Sequence, residues 1–204
     1  MIQSKKELKF YIMADRMMNR GCFKRSAKMI IQELILPDYV MRYLIYYRKR
    51  QYYSRNKSRL GKICWSYYQY KIKLLGIKLG FYFGGDYGYG LVVPHWGTIV
   101  AGGKVGNYAV LHTSICIVGS VRTIGDGLYV STGAKIVGEV ALGNNVTIAP
   151  NSVVSKNRKG NNLLLDGSPA EVKRENYPVW YMRDGEVYDK RVNKVEELKK
   201  KMGL

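Results

Sequence analysis

Residues 81–154 have the sequence FYFGGDYGYGLVVPHWGTIVAGGKVGNYAVLHTSICIVGSVRTIGDGLYVSTGAKIVGEVALGNNVTIAPNSVV. An aliphatic or aromatic residue recurs at every sixth position of this stretch, with one slip of a single residue between positions 117 and 124. The thirteen positions are Phe81, Tyr87, Val93, Ile99, Val105, Leu111, Ile117, Ile124, Val130, Ile136, Leu142, Ile148 and Val154. A period of six is neither the 3.6 of an α-helix nor the 2 of an ordinary strand, and it is typical of parallel β-helices.

The other positions of the repeat fit the same fold. The fifth residue of each hexad also points inward and is small or branched, as at Ala109 and Ala134. The second residue is often small, as at Gly106 and Gly125, because the chain turns a corner there. Three hexads make one triangular coil, so thirteen hexads predict just over four coils in a prism about 20 Å tall.

One segment of the repeat points to a family. Residues 90–100, GLVVPHWGTIV, resemble the catalytic coil of serine acetyltransferases, and the turn Gly167–Ala170 resembles the closing turn of many hexapeptide-repeat acyltransferases. The resemblance extends over roughly residues 76–174. It implies a left-handed parallel β-helix, acetyl-CoA as donor, and a homotrimer whose active sites lie between subunits.

The segment before the repeat is predicted to be helical, so the fold class is α+β. Ser4 and Glu7 form a capping-box pattern that opens a helix ending near Gly21. Further helices are expected at 26–36, at 39–53 after the capping residue Asp38, and from 58 towards 75. The predicted division is a basic helical segment at 1–78, a β-helix at 79–158, and a closing loop and charged tail at 159–204, with a basic helix at 192–202.

The positive charge is concentrated at the N-terminal end of the chain. The net charge is +19, and residues 1–75 hold 18 of the 34 Lys and Arg but only 4 of the 15 acidic residues. Arg48, Lys49, Arg50 and Arg55 are interleaved with tyrosines. This pattern fits packing between helices with solvated cations, an anionic membrane surface, or nucleic acid. No nucleic-acid-binding motif accompanies it, so we predict no nucleic-acid partner.

Several other function classes are not favoured. The chain contains no run of eighteen apolar residues and does not begin like a signal peptide, so a cytoplasmic protein is expected, with the inner face of the membrane as a candidate docking surface. The three cysteines, Cys22, Cys64 and Cys116, lack metal-ligand spacing and are expected to be reduced. Two histidines cannot build the three-histidine zinc site of the related γ-type carbonic anhydrases, so no metal is predicted.

The two histidines are the strongest candidates for chemistry. His95 and His112 are 17 residues apart where a full coil is 18, so both are expected near the same corner of successive coils. The resemblance assigns His95 as the general base that deprotonates an acceptor hydroxyl. His112, Trp96 and Asn107 are the predicted acceptor-binding residues.

Residues for the donor are carried over from the wider hexapeptide acetyltransferases. Positions that contact coenzyme A in those enzymes correspond here to Thr132, Pro150, Ser155, Lys156 and Arg174. Lys156 and Arg174 would bind the phosphates of coenzyme A.

Departures from serine acetyltransferases leave the acceptor open. The aspartate that orients the catalytic histidine in that family is replaced here by Gly80, and the loop that carries its second histidine is reduced to residues 118–123. The predicted function is acetyl transfer to a hydroxyl of a surface-polysaccharide precursor sugar. The alternatives are L-serine O-acetylation in cysteine biosynthesis and a catalytically inactive trimeric adaptor.

Overall fold

The computed structural model describes residues 2–120 and 123–204. Val121 and Arg122, which belong to the predicted short loop at 118–123, lie outside the described residues.

Four helices precede the repeat, as the sequence predicts. They are α1 (Lys5–Arg20), α2 (Ala27–Ile35), α3 (Tyr39–Tyr53) and α4 (Arg59–Leu79). The capping box of Ser4 and Glu7 is formed, and the helix it opens ends at Gly21 with φ of 72°. The fourth helix is about one turn longer than predicted, because it continues until Gly80 stops it in the left-handed conformation.

The repeat forms a parallel β-helix. Its strands are β1 (Phe81–Phe83), β2 (Asp86–Tyr87), β3 (Ile99–Ala101), β4 (Lys104–Val105), β5 (Val110–Leu111), β6 (Ile115–Val118), β7 (Tyr129–Val130), β8 (Lys135–Val137), β9 (Thr147–Ile148), β10 (Val153–Val154), β11 (Leu164–Gly167) and β12 (Ala170–Arg174). One face has the order β1-β3-β6-β8-β10, and a second has β12-β11-β9-β7-β5. The third face pairs β2 with β4 and continues through single bridges at Ile124, Leu142 and Arg158.

The β-helix has one coil more than the hexads predict. The first face holds five rungs. The second face also holds five: β5, β7, β9, β11, and Val92, which forms a parallel bridge to Val110 of β5. The additional pairing comes from β11, where Leu165 lies beside Ile148. This rung was missed because the apolar period of six is no longer regular after Val154.

One hydrophobic core runs from the helices into the coils. Tyr43, Leu44 and Tyr47 of α3 are fully buried and join the same cluster as Phe81, Phe83 and the inward residues of every later coil. The helical segment therefore covers the open end of the β-helix and removes its apolar surface from water.

The C-terminal tail folds back over the second face. β11 and β12 form an antiparallel hairpin around Ser168 and the cis-bonded Pro169, which confirms the predicted closing turn. Two helices follow, α5 (Trp180–Arg183) and α6 (Glu186–Lys201). The predicted basic helix thus begins six residues earlier, and α5 was not predicted. The fully buried Trp180 donates from Nε1 to the carbonyl of Tyr108 at 2.8 Å.

Part of the predicted basic surface is internal. Arg48 is fully buried, where its guanidinium pairs with Asp15 of α1 at 2.7 Å and donates to the carbonyl oxygens of Tyr87 and Gly88. Arg50 donates to the carbonyl of Phe83 at 3.1 Å. The prediction of Arg48 as a membrane-facing cation is wrong, because its guanidinium is buried between Asp15 and carbonyl groups of the first coil.

Candidate active site

The segment that carries His95 is held by side chains of α1. Asp15 accepts a hydrogen bond from the amide of Leu91 at 2.9 Å. Asn19 donates to the carbonyl of Leu91 at 2.8 Å and accepts from the amide of Val93 at 3.0 Å. These bonds satisfy backbone groups of the first coil that have no strand beyond them. His95 follows two residues later with an exposed side chain.

His112 lies one coil further along the same edge. The register of this edge is fixed by the bridge of Val92 to Val110 and by the 3.0 Å bond from the amide of Leu111 to the carbonyl of Val92. The His112 ring is half-buried, and its Nε2 lies 2.9 Å from the hydroxyl of Tyr129. The structure therefore brings the two histidines to one edge, as their spacing predicts.

The environment of His112 favours the neutral form of its ring. Burial lowers the pKa of His112, repulsion between the two rings when both are protonated lowers the pKa further, and the carboxylate of Asp184 opposes both effects. A neutral ring can accept the hydroxyl proton of Tyr129 at Nε2, which leaves Nδ1–H as a donor.

The tail helix α5 supports Tyr129 from outside. The guanidinium of Arg183 lies 4.7 Å from the centre of the Tyr129 ring, donates to Asp184 at 2.7 Å and to the hydroxyl of Thr147 at 3.2 Å. Tyr129 and Thr147 are neighbours on successive coils. Sequence reasoning missed Tyr129 and Arg183, because nothing in the repeat indicates that the tail returns to this face.

A cavity of about 490 Å³ is lined by Pro94 and Trp96, the residues on either side of His95 in the sequence. Pro94 and Trp96 line it on the β-helix side, and Leu36, Tyr39 and Lys78 line it on the helical side. The Trp96 side chain is 71% exposed, and the ammonium group of Lys78 lies 3.7 Å from the centre of the Tyr39 ring. The walls are therefore largely aromatic and aliphatic, with two cations: Lys78, and Arg20, which is paired with Asp38.

Only two of the five predicted donor-binding residues lie on the edge that carries His95 and His112. Thr132 and Pro150 lie on this edge in the coils beyond His112, since the amide of Gly133 bonds the carbonyl of Thr113 and the amide of Asn151 bonds that of Thr132. Ser155 and Lys156 come after β10, at the other end of the strand from Pro150. Arg174 ends β12 beside Leu164. Within one chain, the predicted phosphate-binding cations are thus apart from Thr132.

The structure does not bring Asn107 to His95. Its side chain accepts from the amide of Tyr89 at 3.2 Å and donates to Asp126 at 3.2 Å. The backbone bonds of this corner continue from Asp126 to Asn144, and Asn107 lines a separate cavity with Asp86 and Lys104. Asn107 therefore stabilises a corner, and we do not carry it forward as an acceptor ligand.

The position that corresponds to the family's orienting aspartate has a different structural role. Gly80 ends α4 with φ of 76°, and a Cβ atom there would lie 3.0 Å from the backbone of Gly97. A side chain at this position would be strained, and no side chain in residues 2–120 or 123–204 hydrogen-bonds the His95 ring. Likewise, no three His, Cys, Asp or Glu side chains among these residues come together as metal ligands.

Comparisons with known proteins identify the fold. No protein-family model and no curated protein sequence matches the chain. Among solved structures, a serine acetyltransferase from Brucella abortus strain S19 matches with a TM-score of 0.58 at 18% identity, covering 83% of this chain and 67% of that one. A Neisseria gonorrhoeae serine acetyltransferase in complex with serine has a TM-score of 0.56 at 18% identity, covering 84% of this chain and 71% of that one. A serine acetyltransferase in complex with CoA has a TM-score of 0.56 at 18% identity, covering 81% of this chain and 68% of that one.

These similarities agree with the architecture seen here, an N-terminal helical segment followed by a parallel β-helix of about five turns. At 18% identity they show the fold alone.

Proposed function

We propose that this protein is an acetyl-CoA-dependent O-acetyltransferase in which His95 is the general base. The observation that carries the proposal is the edge on which an exposed His95 lies next to a neutral His112, with Thr132 and Pro150 further along. The similarity to a serine acetyltransferase bound to CoA supports acetyl-CoA as the donor.

The reaction requires one proton carrier and no covalent enzyme intermediate. The neutral imidazole of His95 takes the proton of the acceptor hydroxyl while its oxygen forms a bond to the thioester carbonyl carbon. When the tetrahedral intermediate collapses, the carbon–sulfur bond breaks, and the departing thiolate of coenzyme A takes the proton from His95. His112, held by Tyr129, supplies an N–H donor for the acceptor or for the developing oxyanion.

For the acceptor we propose a sugar hydroxyl on a polysaccharide precursor, bound in the cavity between Trp96 and Tyr39. A volume of about 490 Å³ is in the range of cavities that hold molecules larger than an amino acid. Asp38, the acidic residue that lines the cavity, is already bound to Arg20 at 2.6 and 2.9 Å and to the amide of Met41. It is therefore a poor partner for the ammonium group of serine, whereas Lys78 suits a phosphate on a sugar.

L-Serine is the second candidate acceptor. The solved structures reported above are serine acetyltransferases, one of them in complex with serine, and these names favour serine over a sugar. Against serine stands the engaged carboxylate of Asp38. A catalytically inactive adaptor is the third candidate, because no described side chain orients His95.

The proposed assembly is a cytoplasmic homotrimer. Lys156 and Arg174 are distant from Thr132 along one chain, and a neighbouring subunit could bring its own Lys156 or Arg174 to the phosphates of coenzyme A. The trimer therefore accounts for the separation of the predicted donor residues.

Thiol release from acetyl-CoA tests the proposal with a panel of nucleotide-linked sugars, lipid-linked sugars and L-serine. We expect turnover with a sugar, and Trp96→Ala should raise the KM for that sugar at least about tenfold because it removes a wall of the cavity. Met182→Ala changes an equally exposed apolar residue elsewhere and should leave the KM unchanged. Turnover with serine alone would overturn the sugar proposal, and no turnover with any acceptor would favour the adaptor.

A further inference from the structure

Helix α4 exposes a continuous apolar stripe along its whole length. Six large side chains form it, and each is between 47% and 76% exposed: Leu60, Ile63, Tyr67, Tyr70, Leu74 and Ile77. Their spacing alternates between three and four residues, so on a helix with 3.6 residues per turn they occupy one arc of about 100°.

The stripe is a second apolar face of the helix. The opposite side of α4 contains the buried Gly61, Ile72, Gly76 and Leu79, which pack against α3 and β1. That side already completes the core over the first coil. No part of the chain within residues 2–120 and 123–204 covers the exposed stripe.

Charges along α4 indicate what would cover it. The helix contains five cations and no acidic residue. At 100° per residue, Lys71 and Lys78 border one edge of the stripe, and Arg59 and Lys73 border the other.

A second copy of this helix is a poor partner for such a face. Helices that pair through an apolar stripe place the residues beside it against each other, and opposite charges at those positions stabilise the pair. Two copies of α4 would bring cations next to cations. An anionic lipid surface satisfies both features, because acyl chains take up the apolar side chains and headgroup phosphates attract the bordering cations.

We propose that α4 is the membrane-docking element of this protein and lies in the plane of an anionic lipid interface with the stripe facing the acyl chains. A helix of 21 residues is about 31 Å long, which gives one extended contact. No helix among the described residues is long and apolar enough to cross a bilayer, so the contact is with the surface only. This surface differs from the cluster around Arg48, and it does not depend on the identity of the acceptor.

Vesicle flotation of the full chain tests the proposal directly. The protein should float with vesicles of phosphatidylcholine and phosphatidylglycerol and remain at the bottom with phosphatidylcholine alone. Ile63→Gln with Leu74→Gln should weaken partitioning about 100-fold, and Arg59→Gln with Lys73→Gln about 30-fold. The matched control, Val172→Gln with Val187→Gln, changes two exposed apolar residues of the C-terminal region and should bind like the wild type.

A second measurement does not rely on loss of binding. The native tryptophans Trp65, Trp96 and Trp180 give a background that is measured with the wild type. The fluorescence that Tyr70→Trp adds to this background should be quenched by lipids with brominated acyl chains, whereas the fluorescence that Val187→Trp adds should not. Equal flotation of the wild type and the stripe variant, or no flotation of the wild type, would overturn the proposal. If the stripe variant binds vesicles like the wild type but no longer sediments as an oligomer, the stripe is instead an interface between copies of this chain.

Discussion

At the scale of single residues, the site is built around two histidines in unlike environments. His95 is exposed at the edge of the β-helix, whereas His112 is half-buried and bonded to Tyr129. Spacing alone was enough to predict their proximity, because a repeat of 18 residues fixes which side chains share a corner. The partner of His112 was not predictable, since Tyr129 belongs to a coil whose sequence resembles the others.

His112 is expected to act on acceptor binding more than on turnover. His112→Ala should raise the acceptor KM about tenfold while kcat falls less than in His95→Ala, because in the proposed mechanism the ring donates to the acceptor and does not carry the proton. Tyr129→Phe keeps the tilted ring contact but removes the 2.9 Å bond, and we expect a smaller change in the same direction. Steady-state kinetics at varied acceptor concentration measures both. Equal losses of kcat in the two histidine variants would refute this division of roles.

Acid should destabilise the protein through His112. Burial lowers the pKa of His112 below its ordinary value of about 6.5, so the folded state binds fewer protons than the unfolded state just below that pH. The contribution of neutral His112 to the free energy of unfolding is therefore complete above the ordinary pKa. It is lost as the pH falls through the lowered pKa of the folded state. Urea midpoints between about pH 7 and 5 should therefore fall more steeply for the wild type than for His112→Asn. Parallel pH profiles would show that His112 titrates normally.

At the scale of elements, helix α1 positions the segment that ends in His95. Asn19 forms two hydrogen bonds to the backbone at Leu91 and Val93, much as a neighbouring strand would. We expect Asn19→Ala to lower kcat about tenfold with little change in the acceptor KM, because small displacements of a general base slow proton transfer. The control Asn193→Ala alters an exposed asparagine of α6. Unchanged kcat in purified, folded Asn19→Ala protein would show that His95 needs no support from α1.

The elements differ in how well the sequence predicts them. Helix α3 follows its capping residue Asp38 as expected, and the inward positions of the coils follow the period of six. Helix α5 and the fifth rung escaped prediction, because their stability comes from packing against distant residues such as Tyr108 and Ile148. The Arg48 side chain was misassigned for the same reason, since burial of a cation depends on carbonyl groups that sequence patterns do not reveal.

At the scale of the whole molecule, the Asp15–Arg48 pair joins two helices to the first coil. Arg48→Met leaves the carboxylate of Asp15 buried without its partner and should destabilise the fold by about 3–5 kcal/mol. Lys190→Met breaks an exposed pair with Glu186 and should cost less than about 1 kcal/mol. Denaturant unfolding followed by circular dichroism measures both. A similar cost for the two variants would mean that the buried pair does not hold the helices to the β-helix.

The β-helix, the helices over its open end and the returning tail together present the edge on which His95 and His112 lie. Core residues continue unbroken from Tyr47 through Ile148, so this edge is presented by a rigid scaffold. The central claim is that His95, on this edge, transfers the proton.

The most direct test compares acetyl-CoA turnover by the wild type and His95→Ala with the best acceptor of the panel. We predict a loss of about 10²- to 10⁴-fold in kcat, the usual contribution of a positioned general base, with an unchanged unfolding midpoint because the side chain is exposed. Near-normal acetyl transfer by folded His95→Ala protein would contradict the account.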